Sequence, residues 1–389
     1  GWAGGGATVF WSIGAQMHRA DVADFFGEGE EEEFSPPETG ISMAMTVSAD
    51  KPEATVVITG ARILTMAAGL DDQDAGAIDN GVIVIEGDRI AAIGAAGAVD
   101  VPAGAIMVDA AGRTIMPGLV DAHAHGPQGV GDFIPQQNWR MVQDLAMGVT
   151  TIHDPSNDAS QIFAAAERQR AGLLLAPRIF STGEIIYGAK APSVYARIDS
   201  YEDALAHVQR IRAQGGISVK NYNQPRREQR QMVARAAAAE NMLVVAEGGS
   251  LFGMDMNLIA DGNSTIEHNV PGDVFYEDVL QFFSQSNSNY TPTLNVTYGG
   301  LAGDPYWRQA TDVFDHPLMV HTPPRLLLAQ TGRRTTAPDW AFVDDNAARE
   351  ARKLAQRGVR VSIGAHGQQA GVDAHWELWS FARGGMSPV

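Results

Sequence analysis

Met116-Pro117-Gly118-Leu119-Val120-Asp121-Ala122-His123-Ala124-His125-Gly126 is the stretch whose reading decides the fold. An apolar run leads directly into two histidines with one residue between them. Side chains alternate along a β-strand, so His123 and His125 fall on one face. Two neighbouring imidazoles at a strand end can bind one metal ion from the same direction, and neutral imidazole suits zinc, copper, iron or nickel. The apolar residues from Ile115 to Val120 read as a buried strand, punctuated by Pro117-Gly118 and by Gly126.

Downstream of this stretch the pattern is strand then helix, repeated, which is the signature of a parallel sheet with crossover helices. Strand ends are expected at His125, at Thr150–Asp154, at Ile179–Gly183, at Ile217–Lys220, at Val244–Glu247, at Thr265–His268, at Tyr290–Thr293 and at Val361–His366. Amphipathic helices lie between them, such as 201–214 and 226–240. Eight such units make an α/β fold of the (β/α)8 TIM-barrel type over residues 115–389. Residues 300–358 are expected to carry insertions and two helices before the last strand. Both ends of the sequence read as cut: it begins Gly1-Trp2, and Gly384 to Val389 reads like the start of a helix, so that the last barrel helix is truncated.

Upstream, residues 51–114 alternate short β runs with turns. Thr55–Gly60, Gly81–Ile90 with a hairpin turn at Gly87-Asp88, and Ala105–Asp109 suggest a small β-sandwich beside the barrel. Residues 1–50 form a separate N-terminal segment, with a β-type run at Thr8–Ile13 followed by polar and acidic sequence; it reads as a short β segment or an extended arm.

The chain has 389 residues, enough for two or more domains, and no window approaches the roughly eighteen uninterrupted apolar residues of a transmembrane helix. A net charge of −18 argues against a nucleic-acid partner and against an anionic membrane surface. Part of that charge comes from Glu28 to Glu33, read as a solvated loop. There are no cysteines, so a metal must sit on nitrogen and oxygen ligands. No phosphate-binding glycine motif is present.

In a barrel of this kind chemistry sits at the C-terminal ends of the strands. The strand ends expected above carry His123, His125, Lys220, Glu247, His268 and His366, and their convergence marks a metal site. His153, Tyr222 and Asn223 are candidates for substrate binding, with Glu184 and Tyr187 in a neighbouring loop. His375 and Trp376 read as packing residues on a helix, and His18, His207, His316 and His321 as surface or loop residues.

The run Pro117-Gly118-Leu119-Val120-Asp121-Ala122-His123-Ala124-His125 resembles the first barrel strand of the amidohydrolase superfamily, and Ile266-Glu267-His268-Asn269 resembles its sixth. The resemblance implies one or two divalent metal ions, zinc by default, with Lys220 at the end of strand four as a carbamylated bridge between two metals. It also implies a β-sandwich completed by sequence after the barrel, so the sandwich here is expected to be incomplete. Two positions depart from the superfamily pattern. Strand five ends in Glu247 in place of histidine, and strand eight in His366 in place of the aspartate that serves as general base. The exchange, and the segment Gly364 to Gln368, resemble the branch whose barrel follows a Tol-type β-propeller, of which residues 1–50 would be the last strands. His366 is then the first choice for general base, since imidazole titrates near neutral pH, with Glu247 or Asp273 as alternatives. The implied activity is hydrolysis of an amide-type C–N bond in a peptide, N-acyl amino acid or cyclic amide, by attack of a metal-bound hydroxide. A lactonase, esterase or organophosphate hydrolase would use the same groups, and a non-catalytic barrel with a degenerate metal site is the reading from another class. The implied partners are a small-molecule or short-peptide substrate, a propeller domain, and a second copy in a homo-oligomer. The branch favours a periplasmic or secreted location over a cytoplasmic one.

Overall fold

The computed structural model of the chain describes residues 1–26, 34–67, 76–131, 133–188, 196–224, 226–249, 251–312, 315–330 and 336–387. The acidic run Glu28 to Glu33 lies outside the described residues.

Strands β1 (Trp2–Ala3), β2 (Thr8–Ile13), β3 (Gln16–Asp21) and β4 (Ile41–Ser42) form an antiparallel sheet in that order. The β-branched and aromatic residues of β2 suit a pleated, half-buried surface. Trp11 and His18 are cross-strand partners, so their rings share a face and stack 5.5 Å apart. His18 is therefore buried, not the surface residue its sequence context suggested.

A second sheet holds β5 (Thr55–Leu64), β6 (Ala77–Glu86), β7 (Arg89–Ala95) and β8 (Ile106–Asp109) in the order β7-β6-β5-β8, with β9 (Thr114–Ile115) also on β5. The expected turn at Gly87-Asp88 joins β6 to β7, with Gly87 in the left-handed region. The described strands of this region make one five-stranded sheet. Alternation along β6 sends Val82 and Val84 into one apolar cluster with Val57, and Ile83 into another with Ala61 and Ile63, the register of β5 shifting between Thr59 and Ala61.

The remainder is mixed α/β with two parallel sheets. One contains β10 (Leu119–Asp121), β11 (Val149–Asp154) and β12 (Arg178–Ser181). The other contains β13 (Ser218–Asn221), β14 (Leu243–Glu247), β15 (Thr265–Glu267) and β16 (Asn289–Thr291). Helices α1 (Trp139–Ala146), α2 (Ala159–Arg170), α3 (Tyr201–Gln214), α4 (Arg227–Ala239), α5 (Phe252–Ala260) and α6 (Glu277–Gln285) alternate with these strands. Local chemistry sets several of the helix ends. Asn138 and Asp158 accept backbone N–H bonds at the starts of α1 and α2, and Ser200 with Asp203 forms a capping box on α3. Beyond β16 come α7 (Gly303–Ala310), α8 (Pro324–Gln330), α9 (Asp344–Ala355) and α10 (Val372–Arg383). Among the described residues no helix is long and apolar enough to cross a membrane.

Four expectations need correction. The strand through His123 and His125 is assigned only over Leu119–Asp121, because Asp121 Oδ1 accepts the His123 N–H and turns the chain. Nor is the apolar run buried: Met116 is 50% and Val120 54% exposed, and Val120 lies on the strand face opposite Asp121. The last strand is reduced to two parallel bridges, Val361 to Tyr290 and Ile363 to Asp121, which join the two sheets on one side. On the other side a single bridge, Ile186 to Asn221, links the segment after β12 to β13, so the ladder is not continuous all round. Finally, the described residues of 300–358 hold three α-helices, not two. The third, α8, begins at Pro324, since a proline at the first helical position loses no hydrogen bond. The segment from Gly384 to Ser387 is non-helical, α10 ending at Arg383.

Apolar residues of the strand–helix region pack in clusters between sheet and helices. The largest gathers Ile266, Tyr290, Leu258, Phe283 and Leu354 from β15, β16, α5, α6 and α9. Its effect is to fix the C-terminal ends of β14 to β16 relative to one another.

Candidate metal centre

The C-terminal ends of the parallel strands bring four imidazoles together. Ring centroids of His123 and His125 are 4.8 Å apart, of His123 and His366 5.2 Å, of His125 and His366 4.7 Å, and of His268 and His366 5.3 Å. Ligand nitrogens of His123, His125 and His366 all lie within 4.8 Å of one another. The expected set therefore converges, although its members come from widely separated parts of the chain.

The outer nitrogens are held by carboxylates. His123 Nδ1 is 2.5 Å from Glu267 Oε2, both side chains being buried, and His125 Nδ1 is 3.0 Å from Asp154 Oδ1. With Glu267 and Asp154 ionised, each Nδ1 carries the proton and each Nε2 offers a lone pair. Those two Nε2 atoms face each other across 3.0 Å. Two lone pairs so close repel, and a cation beside them removes the conflict. The donor set thus fits a divalent metal on its own chemistry. Glu267, Asp154 and Asp121 were not singled out as site residues from sequence. A signal was present, since each is an acidic residue next to, or two residues from, a histidine at a strand end.

Burial drives His123, His268 and His366 toward the neutral form that a metal ligand needs. His123 is pushed well below the usual imidazole range, by burial first and then by the Lys220 ammonium. His366 falls to about 3, through burial and then its neighbours His125 and His268. His268 is lowered by burial against the pull of Glu247.

Lys220 and Glu247 form the floor of the group. Lys220 is 1% exposed, and its Nζ is 2.7 Å from Glu247 Oε2. Glu247 Oε1 lies 3.3 Å from His268 Nε2, and Thr293 Oγ1 2.8 Å from His268 Nδ1. Burial would raise Glu247, but Lys220 and His268 overcome it and hold the carboxyl at about 2. Burial lifts Glu267 to about 7 against the same ammonium, so the arrangement of protons described above, with Glu267 ionised, is the one that holds above that pH.

The backbone here is strained. His268 and His366 both have φ of 67° and Thr293 has 48°, in the left-handed region. Such residues cost on the order of 1–3 kcal/mol each and persist where the surroundings over-determine them. The His366 N–H donates to His123 O at 2.7 Å, and the Ala365 N–H to Asp121 Oδ1 at 3.1 Å.

His153 has both ring nitrogens engaged, at 3.1 Å from Ala122 O and 2.8 Å from Ser218 Oγ, between the first and fourth strands. Tyr222 packs edge-on against Tyr187 at 5.0 Å, and Tyr298 lies 5.1 Å from the His268 ring. Burial, then Glu247, raises Tyr222 to about 12, so it stays a hydrogen-bond donor at neutral pH. The buried Asn223 Oδ1 has no hydrogen-bond partner. Glu184 is tied to Arg210 at 3.1 Å. Asp273 is exposed and lines a cavity of about 520 Å³ with Gly249, Asn269, Tyr298 and Asn346, across the Tyr298 ring from His268. The His375 Nε2–H donates to Met147 O at 2.7 Å, within the helix packing.

No family model matches the chain. An imidazolonepropionase of Anaeromyxobacter dehalogenans is 32% identical over 155 residues, 36% of this chain and 36% of that protein. A dihydroorotase of Geobacter sulfurreducens is 27% identical over 181 residues, 44% of this chain and 36% of that protein. The chain thus spans 36% of the length of each of these curated relatives. The crystal structure of a Xaa-Pro dipeptidase with bound methionine in its active site matches with a TM-score of 0.59 at 18% identity, over 86% of this chain and 84% of that one, a likeness of fold. Together these likenesses support the amidohydrolase superfamily.

Proposed function

We propose that this chain is a metal-dependent amidohydrolase that cleaves an amide-type C–N bond in a peptide, N-acyl amino acid or cyclic amide. The observation that carries the reading is the pair of Nε2 atoms of His123 and His125, 3.0 Å apart, each backed by a carboxylate on Nδ1. His123, His125, His268 and His366, with Glu247, would hold one or two divalent ions, zinc by default. Lys220, beside Glu247, would bridge two ions if carbamylated. When bound, such an ion polarises a carbonyl and lowers the pKa of water.

The chain's own groups supply the rest. His366 and Glu247 are both held unprotonated, at about 3 and about 2, which is the form that ligates a metal and well below the near-neutral pKa at which a general base is most effective. Ligand and general base are alternative roles for His366, whose single lone pair serves one of them at a time; as a base it would carry a proton from water to the leaving nitrogen. Tyr222, kept protonated, donates to the substrate carbonyl oxygen, and the cavity beyond Tyr298 takes the more distant part of the substrate. We read the two parallel sheets and the bridges at Val361 and Ile363 as arcs of a (β/α)8 barrel. The antiparallel four-stranded sheet of residues 2–42 has the strand count of a propeller blade, which supports a link to that branch of the superfamily.

Elemental analysis after chelator-free purification, followed by a panel of dipeptides, N-acyl amino acids, cyclic amides, lactones and esters, tests the reading. At least one equivalent of a transition metal and turnover of an amide are expected. Less than about a tenth of an equivalent per chain, with no uptake on incubation with zinc, would sink it. Turnover confined to lactones or esters would reassign the bond cleaved.

A further inference from the structure

We infer that Arg140 is a positioning residue that locks the two ligand-bearing turns of the metal centre together; the inference rests on the metal reading above. Arg140 sits in the first turn of α1, just after the Asn138 cap. Its Nη2 donates to His125 O at 3.1 Å and to Gly367 O at 2.8 Å. One carbonyl belongs to a ligand from the start of the parallel array. The other belongs to the residue after His366, at its end. A single guanidinium nitrogen thus spans the two turns that must keep register for His123, His125 and His366 to share an ion.

The turn that Arg140 grips needs gripping. His366 and Gly367 are consecutive left-handed residues, at φ of 67° and 74°. A Cβ on Gly367 would fall 1.9 Å from His125 O. That carbonyl therefore approaches the Gly367 backbone with nothing but hydrogen between. Two acceptor carbonyls in close array are unfavourable unless a donor faces both, and Arg140 is that donor. Gly126 is shaped to the same end: a Cβ there would lie 2.7 Å from Arg140 Nε.

The electrostatics point the same way. Arg140 lines a small cavity of about 10 Å³ with Asp121, Asp144, Asp154 and Asp373. Asp121 and Asp154 are the carboxylates that hold the His123 N–H and the His125 ring. Burial raises Asp144 to about 7 and Asp373 well above the usual carboxylate range, and Arg140 opposes both shifts, so its loss would push these acids further toward the neutral form.

Cobalt(II) titration of the wild-type protein, Arg140→Met, Arg140→Lys and His366→Ala, read by d–d absorption, tests the inference. Arg140→Met keeps the apolar stem and removes donors and charge. It is expected to weaken cobalt binding about 10–100-fold, the usual effect of losing a group that orients metal ligands, and to alter the spectrum. Arg140→Lys keeps charge without the planar fork and should fall between; it carries the test alone if the methionine variant does not fold by circular dichroism. In the His366→Ala background the same Arg140→Met change should cost less than about threefold, because the turn it grips no longer bears a ligand. Folded Arg140 variants with wild-type affinity and spectrum overturn the inference. So does an equal loss in both backgrounds, which would mean general loosening. Wild-type protein that takes up no cobalt would overturn the functional reading itself, a result distinct from either.

Discussion

Replacing Gly367 by alanine tests how tightly the end of the parallel array is seated against its beginning, and Gly358 supplies a matched control. Both glycines are left-handed, at φ of 74° and 83°. Their surroundings differ: a Cβ at Gly358 meets nothing within 4 Å, while one at Gly367 would lie 1.9 Å from His125 O and 2.8 Å from its carbon. Gly358→Ala should therefore cost only the backbone term, about 1–2 kcal/mol. Gly367→Ala carries the same term plus an overpacking cost of about 1–3 kcal/mol. Since the clashing atom is backbone, relief requires the His366 turn and His125 to separate by about 1 Å, far outside the ~0.2 Å tolerance of metal–ligand distances. Urea denaturation of the two variants, alongside zinc content by elemental analysis, measures both effects. The expected pattern is a modest stability loss with normal zinc in Gly358→Ala, and a larger loss with zinc depleted in Gly367→Ala. If Gly367→Ala keeps its full zinc complement and matches Gly358→Ala in stability, the seating described here is wrong.

Two further outcomes follow from the site and from a buried acid near it. His366→Ala should lower turnover of any amide substrate by at least about 100-fold, as loss of a ligand or a general base does, and activity retained with metal bound would exclude both roles. Asp255, fully buried, has its carboxyl raised from an ordinary 3.8 to about 7 by burial, with Gly249 N–H opposing and Glu247 adding to the rise. The native state then holds a proton that the unfolded chain releases near pH 4, so stability falls as pH rises from about 4 to about 7 and levels off above. Asp255→Asn cannot titrate, so it should gain on wild type across that window, reaching up to about 4 kcal/mol above pH 7. Urea midpoints at pH 5 and pH 8 check this; a difference independent of pH would show that Asp255 does not titrate as described.

The parts legible in the sequence are those where a local pattern and a tertiary role coincide. Leu243–Glu247 is almost wholly apolar until its last residue, as a buried parallel strand must be, and that last residue is the one that reaches Lys220 and His268. Thr265–Glu267 likewise ends on an acidic residue that serves the site, with His268 just beyond it. Where pairing depends on distant partners, the sequence says less. The segment from Val361 to His366 looks like a full strand, yet only Val361 and Ile363 find bridge partners, because the turn at His366 is drawn onto His123. Glu267 was visible as part of a motif but its service to His123 was not, since nothing in the sequence shows which ring nitrogen faces which carboxylate. His18 went unrecognised because its burial depends on its register opposite Trp11. The left-handed backbone at His268, Thr293 and His366 carries no sequence signal, as glycine or asparagine would have.

The contact between Ala365 and Asp121 spans 244 residues, and it lies directly beside the hydrogen bond from His366 to His123. Domains are synthesised from the N-terminus at roughly 5–20 residues per second. His123 and His125 are therefore exposed for many seconds before the segment bearing His366 leaves the ribosome. On the metal reading proposed above, the chain through that interval holds two of the imidazoles without the third. Selectivity for the right ion is thus a question of timing as well as geometry. If His123, His125 and His366 share an ion as proposed, the site closes only when that last turn arrives, and a nascent chain stalled short of it would hold two ligands and no complete centre.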